Sequence, residues 1–357
     1  MNLTINAGAL SKILKLVGLT NDKEGLVVLD TNSGTAKAIG VELGIAVRSP
    51  HLLVDSPNKS GQVVVGIRQL SAVVSGLLGD IKLIRSENEL TVKGGRSKFE
   101  IALPLKDQTD RTLAAVAALE TNGPAFPIPL TKLKAALDFA SHVSDKSSLF
   151  DYYGALEISG NTVVAGTDGA RLALAEFLGT QEITPTIIVP SRAARAIQEL
   201  AGDDVFVSET ENAVFFAAGE ITLRAAKQVE KFADWRKFIP TEFETEVKFR
   251  AQDMREALKR VAPMALETVT VDVDGEQLRL FAQSPEGRAE DFVDIDVVFP
   301  DPLFEEAAHI KVTLDIRFLT DYFARAQGTV RLMLNGPQKP VYFEAGNSFK
   351  LLVAPRV

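Results

Sequence analysis

The chain has 357 residues, 46% hydrophobic and 24% charged, enough for two or three packed domains. Its net charge of −8 argues against gripping nucleic acid by bulk charge, although a polyanion meets the local field of one face rather than the total. There is no cysteine, which excludes disulfides, thiolate catalysis and cysteine-ligated zinc. No apolar run approaches a membrane span and no cationic leader precedes one, so the expectation is a cytoplasmic protein without signal peptide or membrane contact.

From Leu3, LTINAGALSKILKLV reads as a short strand entering a helix with an apolar stripe at Leu10, Leu14 and Val17. These are the i, i+4, i+7 positions of one face. GQVVVGIRQLSAVVSGLLGD is a second strand–helix module, with Arg68 in the first turn and Gly79 as the expected helix stop. IKLIRSENELTVKGGRSKFEIAL then reads as antiparallel hairpins. After a linker at Thr121–Pro124 the pattern restarts. FPIPLTKLKAALDFA has its stripe at Leu133, Leu137 and Ala140, and PTIIVPSRAARAIQELAGDD repeats the arginine and glycine as Arg192 and Gly202. After Pro240–Glu246 it restarts again. VKFRAQDMREALKRV has Met254, Leu258 and Val261, and HIKVTLDIRFLTDYFARAQGT has Arg317 and Gly328 before the hairpins of VRLMLNGPQKPVYFEAGNSFKLLV. The period is about 120 residues. The expected architecture is α+β, with three tandem repeats at 1–122, 123–243 and 244–357, each placing two helices on antiparallel sheets.

Away from its stripe, every helix carries cations: Lys12, Lys15, Arg68, Lys132, Lys134, Arg192, Arg195, Arg255, Lys259, Arg260, Arg317 and Arg325. Acidic companions such as Asp138 and Asp321 allow a plain solvated face with ion pairs. If the repeats instead set their helices on one side of a curved sheet, the six faces share one concave surface suited to a polyanion held without sequence reading. No aromatics interleave with these charges, so stacking on single-stranded bases is not suggested.

Catalytic chemistry is not legible. His51, His142 and His309 lack metal-ligand spacing, and neither a GxxxxGK[ST] loop nor an HExxH or GxSxG motif occurs. The stretch VVAGTDGARLALAEF (Val163–Phe177) places Asp168 on a turn with no histidine or second carboxylate beside it. Thr167 and Asp168 suit a capped bend, with Gly166 and Gly169 supplying unusual φ angles. No catalytic, metal or cofactor site is expected.

Several stretches carry a resemblance to a known family. They are GGRSKFEIALP, DYYGALEISGNTVVAGTDGARLALAEF, TIIVPSRAARAIQEL, FADWRKFIP and the terminal LLVAPRV. Together they resemble the bacterial DNA polymerase sliding clamp, the processivity (beta) subunit of the replicative polymerase, across essentially the whole chain. The resemblance implies a non-enzymatic, head-to-tail ring homodimer with helices lining the hole and sheets outside. Double-stranded DNA passes through it without sequence preference, facing Lys12, Lys15, Arg68, Lys132, Lys134, Arg192, Arg195, Arg255, Lys259, Arg317 and Arg325. It also implies a pocket for short peptide motifs of the polymerase catalytic subunit, the clamp loader and repair proteins. That pocket would use Tyr152, Thr167, Gly169, Arg171, Leu172, Lys237, Phe238, Phe318, Pro340, Leu352, Val353 and Pro355. The ring would close where Arg96, Lys98, Phe99 and Ile101 meet Pro263 and Met264, with Glu286, Glu290 and Asp291 opposite the basic pair.

The sequence departs from the family at Ala170, where histidine is usual, and at Ala233, where proline is usual. Its tail, Pro-Arg-Val, is short, and Pro263 and Met264 replace a bulkier aliphatic pair. The competing reading is a repeat-built peptide-binding adaptor that keeps the pocket and does not encircle DNA.

Overall fold

The computed structural model describes residues 1–20, 25–54, 59–119, 125–143, 155–160, 162–176, 183–227, 232, 234–274, 277–299 and 310–356. They gather into two compact units, 1–134 with 192–227, and 135–191 with 228–357. The middle repeat read from the sequence therefore gives strands to both units.

The first unit holds an eight-stranded antiparallel sheet. Its order is Gln62–Gly66, Leu26–Asp30, Thr35–Ile39, Leu43–Arg48, Ile221–Ala226, Ala213–Ala218, Asp204–Glu209 and Phe126–Pro129. The second unit holds a nine-stranded one. It runs Ile183–Pro190, Ala155–Gly160, Thr162–Thr167, Arg171–Glu176, Phe349–Val353, Val341–Ala345, Thr329–Leu334, Thr245–Arg250 and Asp296–Phe299. Position by position the first eight strands correspond, so the repeat in the sequence is a repeat in hydrogen bonding. Each unit adds a four-stranded sheet. One runs Asn2–Asn6, Asp80–Arg85, Glu89–Gly94, Ser97–Ala102, and the other Gly287–Asp294, Gln277–Ser284, Thr268–Asp274, Ile310–Asp315.

The helices are α1 (Ala7–Val17), α2 (Ile67–Ser75), α3 (Lys106–Ala117), α4 (Leu130–Ser141), α5 (Arg192–Gln198), α6 (Ala251–Val261) and α7 (Ile316–Phe323). All nine stripe residues of α1, α4 and α6 are buried. Burying one such leucine is worth roughly 1.5–3 kcal/mol, against about 1 kcal/mol for a side-chain cap. Hence α6, which has no side-chain cap, is as well formed as α1, which Asn6 caps through Gly8 N–H at 3.0 Å and Ala9 N–H at 3.3 Å.

Two expectations need correction. Gly79, Gly202 and Gly328 do not stop the helices, which end four or five residues earlier at Ser75, Gln198 and Phe323. Their φ angles of +70°, +131° and +71° instead serve the turn into the next strand. Each turn then offers a carbonyl to the first helix of its own repeat. Ala7 N–H donates to Gly79 O at 2.9 Å, Leu130 N–H to Asp203 O at 2.8 Å, and Ala251 N–H to Gly328 O at 2.9 Å. The second correction is α3, a third helix in the first repeat. It lies where the sequence led straight to a linker, and packs Val116 and Leu119 against Val28 and Val64.

The nine-stranded sheet has two unlike faces. Phe249 and Phe343 pack on Phe323 of α7, at 6.0 and 5.7 Å between ring centroids, and Phe349 stacks on Phe139 of α4 at 4.3 Å. The alternate residues point the other way. There Arg331 holds Glu246 through two 2.8 Å bonds and Glu344 at 3.0 Å, and Lys350 holds Glu176 at 2.6 Å, a ladder across five neighbouring strands. Burial and its neighbours' charges leave Tyr342, on this face, raised to about 12.

Candidate functional site

Beside the charge ladder, the same face becomes apolar. Leu172, Leu174, Met333, Tyr342 and Leu352 form one buried cluster with Ala155, Phe232 and Trp235. Trp235 belongs to a single 3-10 turn, Trp235–Phe238, laid over the strands. Between this turn and the hairpin at Asp168 lies a cavity of about 270 Å³, lined by Thr167, Gly169, Ala170, Arg171, Leu172, Trp235, Phe238, Pro340, Leu352 and Ala354.

The hairpin builds the polar wall from its own residues. Asp168 accepts the backbone N–H groups of Ala170 at 3.1 Å and Arg171 at 3.0 Å, and the Arg171 Nε at 2.9 Å. Thr167 donates its hydroxyl to Arg171 O at 2.8 Å and accepts from Gly169 N–H at 3.1 Å. Gly169 sits at φ +86°, which a side chain would strain. Both Asp168 oxygens are therefore spent on the turn, which makes it a capped bend. Arg171 reaches on to Asp321 of α7 at 3.0 Å and lies 4.2 Å over the Phe318 ring. Its fork and its flat face are both used, so the guanidinium is a fixed part of the wall.

The chain end closes the site. Ala354 N–H donates to Ala170 O at 2.9 Å, and Arg356 N–H to Thr313 O at 2.8 Å. Arg356 and Arg317 both donate to Asp315, at 2.8 and 2.6 Å. Asp315 is fully buried. Its burial opposes ionisation, but the two guanidiniums outweigh it and hold the carboxyl at about 2.

Of the expected pocket residues, Thr167, Gly169, Arg171, Leu172, Phe238, Pro340 and Leu352 line this cavity. Phe318 lies beneath Arg171, and Lys237 points to solvent, paired with Asp234 at 3.0 Å. Val353 is buried on the opposite face of the sheet, and Pro355 follows Ala354 in the tail without lining the cavity. Tyr152 lies outside the described residues. The expected set left out Trp235 and Ala354, and noted Ala170 only as a departure from the family. Trp235 was visible as the one tryptophan within FADWRKFIP, and Ala170 as the residue after the Thr-Asp-Gly turn, but Ala354 lines the cavity because the tail pairs back onto Ala170, which no local pattern reports.

Comparison with known proteins bears on this arrangement. Residues 236–353 match the family model of the DNA polymerase III beta subunit, C-terminal domain. The chain is 27% identical over 322 residues to the beta sliding clamp of Pseudomonas aeruginosa, covering 83% of this chain and 84% of that one. The crystal structure of the DNA polymerase III subunit beta from the same organism superposes with a TM-score of 0.84 at 21% identity, covering 100% of both chains. The Bacillus subtilis sliding clamp gives 0.84 at 16% identity, over 100% of this chain and 99% of that one.

The chain has the sliding-clamp fold.

Within that fold the helix cations divide into two sets. Lys12, Lys15, Arg68, Lys132, Arg195 and Lys259 are exposed. The others are held. Lys134 Nζ donates to Leu200 O at 2.6 Å, just past α5. Arg255, at the matching position of α6, donates to Phe323 O at 2.6 Å and Ala326 O at 2.8 Å, at the end of α7. These two satisfy carbonyls that a helix end leaves without partners, so their side chains are tied into the fold. Arg192 pairs with Glu42 at 2.5 Å and Arg325 with Asp138 at 3.1 Å, and Arg317 is committed to Asp315.

Two sheet edges carry the residues expected at ring closure. Ser97–Ala102 pairs on one side only, presenting Arg96, Lys98 and Phe99, the last 38% exposed, while Ile101 is buried. Gly287–Asp294 is likewise an edge and presents Phe292, 48% exposed, which the sequence reading did not single out. Glu286 is exposed in the turn before it, and Pro263 and Met264 form the 3-10 turn after α6. Within one chain three of these charges, Lys98, Glu290 and Asp291, already have partners. Lys98 pairs with Glu100, Arg260 with Asp291, and Arg279 with Glu290 at 2.9 Å.

Proposed function

We infer that this chain is a sliding clamp: a non-catalytic processivity factor that tethers the replicative DNA polymerase to double-stranded DNA. The observation that carries this reading is the full-length agreement of fold with sliding clamps, down to a repeated strand order that runs through both large sheets. The repeats act as three clamp domains, 1–122, 123–243 and 244–357. Two copies close head to tail, the Ser97–Ala102 edge of one against the Gly287–Asp294 edge of the other, which removes two exposed edges that would otherwise invite aggregation. The exposed cations of the helices face the duplex and contact phosphates without reading bases. The net charge of −8 is compatible with this, because a closed ring holds DNA by topology and needs no tight phosphate binding. The cavity beside Trp235 takes short apolar motifs of the polymerase, loader and repair proteins, in the bacterial cytoplasm.

Light scattering is expected to give twice the mass of one chain at micromolar concentration. Reversing Lys12, Lys15 and Arg68 to glutamate is expected to shorten retention on nicked circular DNA. A stable monomer whose DNA behaviour is indifferent to those charges points to the non-encircling adaptor instead.

A further inference from the structure

The cavity wall contributed by Trp235 stands on a segment with little structure of its own. The 3-10 turn is four residues long, and its preceding residue makes no side-chain cap. Something outside the turn has to hold the indole. Glu157, in the middle of the strand Ala155–Gly160, is 7% exposed and accepts the indole N–H at 3.0 Å. Arg236 lies 4.2 Å over the indole ring, 3.7 Å from the same carboxylate, and donates to Ser159 Oγ at 3.2 Å. The indole is thus pinned by its polar edge and covered on one side by a cation, and Arg236 is not among the residues that line the cavity.

A buried carboxylate in a sheet costs free energy unless its partners compensate, and an apolar residue of similar size would pack there more cheaply. The first unit shows that alternative. Val28 occupies the corresponding strand position and packs under Val116 of α3 and Leu119 just after it. We propose that Glu157 is a positioning residue of the pocket. It fixes the orientation of Trp235 and, through the turn, of Phe238 at the rim, and so sets the affinity for apolar peptide motifs. This rests on the reading of the cavity as a peptide pocket.

The test uses the full-length protein and a synthetic hexapeptide carrying two leucines and a phenylalanine, with its all-alanine counterpart as control. Binding is followed by calorimetry and by fluorescence of the single tryptophan. Glu157→Gln keeps an acceptor for the indole N–H and is expected to bind within about 3-fold of the unmodified chain. Glu157→Leu removes the acceptor and is expected to bind about 10-fold more weakly, with a shifted tryptophan emission maximum. Its Tm should stay above the assay temperature. Should Glu157→Leu not fold, the cycle of Glu157→Ala with Trp235→Phe decides, since both changes remove the indole–carboxylate bond and coupled residues depart from additivity. Equal affinity of Glu157→Leu and the unmodified chain, or strict additivity in the cycle, overturns the proposal. If the unmodified chain itself fails to prefer the apolar peptide, the pocket reading is what falls.

Discussion

The two connections between repeats lie over corresponding strands and do different things there. In the first unit, the chain after Ser97–Ala102 forms α3, which sets Val116 and Leu119 onto Val28 and Val64. In the second, the chain after Ile221–Ala226 forms the short Trp235–Phe238 turn, anchored to a buried glutamate, with a cavity of about 270 Å³ beside it. A helix with its own hydrogen bonds sets its apolar side chains onto the sheet, and the cavity of about 690 Å³ beside it is lined largely by polar residues such as Asp30, Arg48, Gln62 and Glu220. A four-residue turn covers less and leaves an apolar recess whose walls need separate support. The difference teaches that a site can arise where a repeat is completed imperfectly.

The comparison breaks most visibly at its two anchors. Trp235→Ala is expected to cost about 3–5 kcal/mol of stability and to weaken apolar peptide binding by roughly 100-fold, since truncating a central aromatic anchor typically removes more than 2 kcal/mol. Leu119→Ala is expected to cost about 2–3 kcal/mol by the same cavity argument while leaving peptide binding alone. Denaturant unfolding paired with peptide titration separates these outcomes, and peptide binding that follows stability in both variants removes the contrast.

The corresponding hairpins offer a smaller test. Arg171 is bonded to Asp168 and Asp321 and covers Phe318, with its side chain 9% exposed. Arg171→Ala should therefore cost about 2–3 kcal/mol. In the first unit the turn before Leu43 has Glu42 paired to Arg192, with side chains 34% and 41% exposed. Glu42→Ala should cost well under 1 kcal/mol, as solvent screens such pairs. Equal losses in thermal unfolding would contradict the assignment of the second hairpin as the built one.

A pH titration gives the smallest effect. Burial, reinforced by the charge of Arg325, pushes His142 down to about 4 from 6.5, so the fold favours its neutral ring. Below pH 6.5 the unfolded chain binds a proton that the folded chain refuses, so stability falls as pH drops from 6.5 toward 4. The loss between pH 6.5 and 5.5 is expected to be about 1 kcal/mol. His142→Gln should flatten that stretch of the stability curve, and an unchanged slope would assign the acid sensitivity elsewhere.

Much of the fold was legible because helical periodicity is a local signal. Leu10, Leu133 and Met254 announce the same helix three times, and all are buried. The TDG turn was legible for the same reason, since Thr167 and Asp168 act on residues within four positions. What escaped depends on distant partners. Lys134 and Arg255 look like surface cations until the carbonyls of Leu200 and Phe323 are placed beside them. Helix α3 escaped because Val116 is its one buried residue, too few to mark a stripe. Glu157 escaped because its partner, Trp235, lies 78 residues away in the sequence.

The central claim is that two copies of this chain enclose duplex DNA. Its most direct measurement is the lifetime of the loaded protein on a nicked circle before and after the circle is cut with a restriction enzyme, at high salt. Topological enclosure predicts long retention on the circle and loss within the time needed to slide off once it is linear. Equal lifetimes on the two forms would mean that the protein sits on DNA, if at all, by surface contact alone.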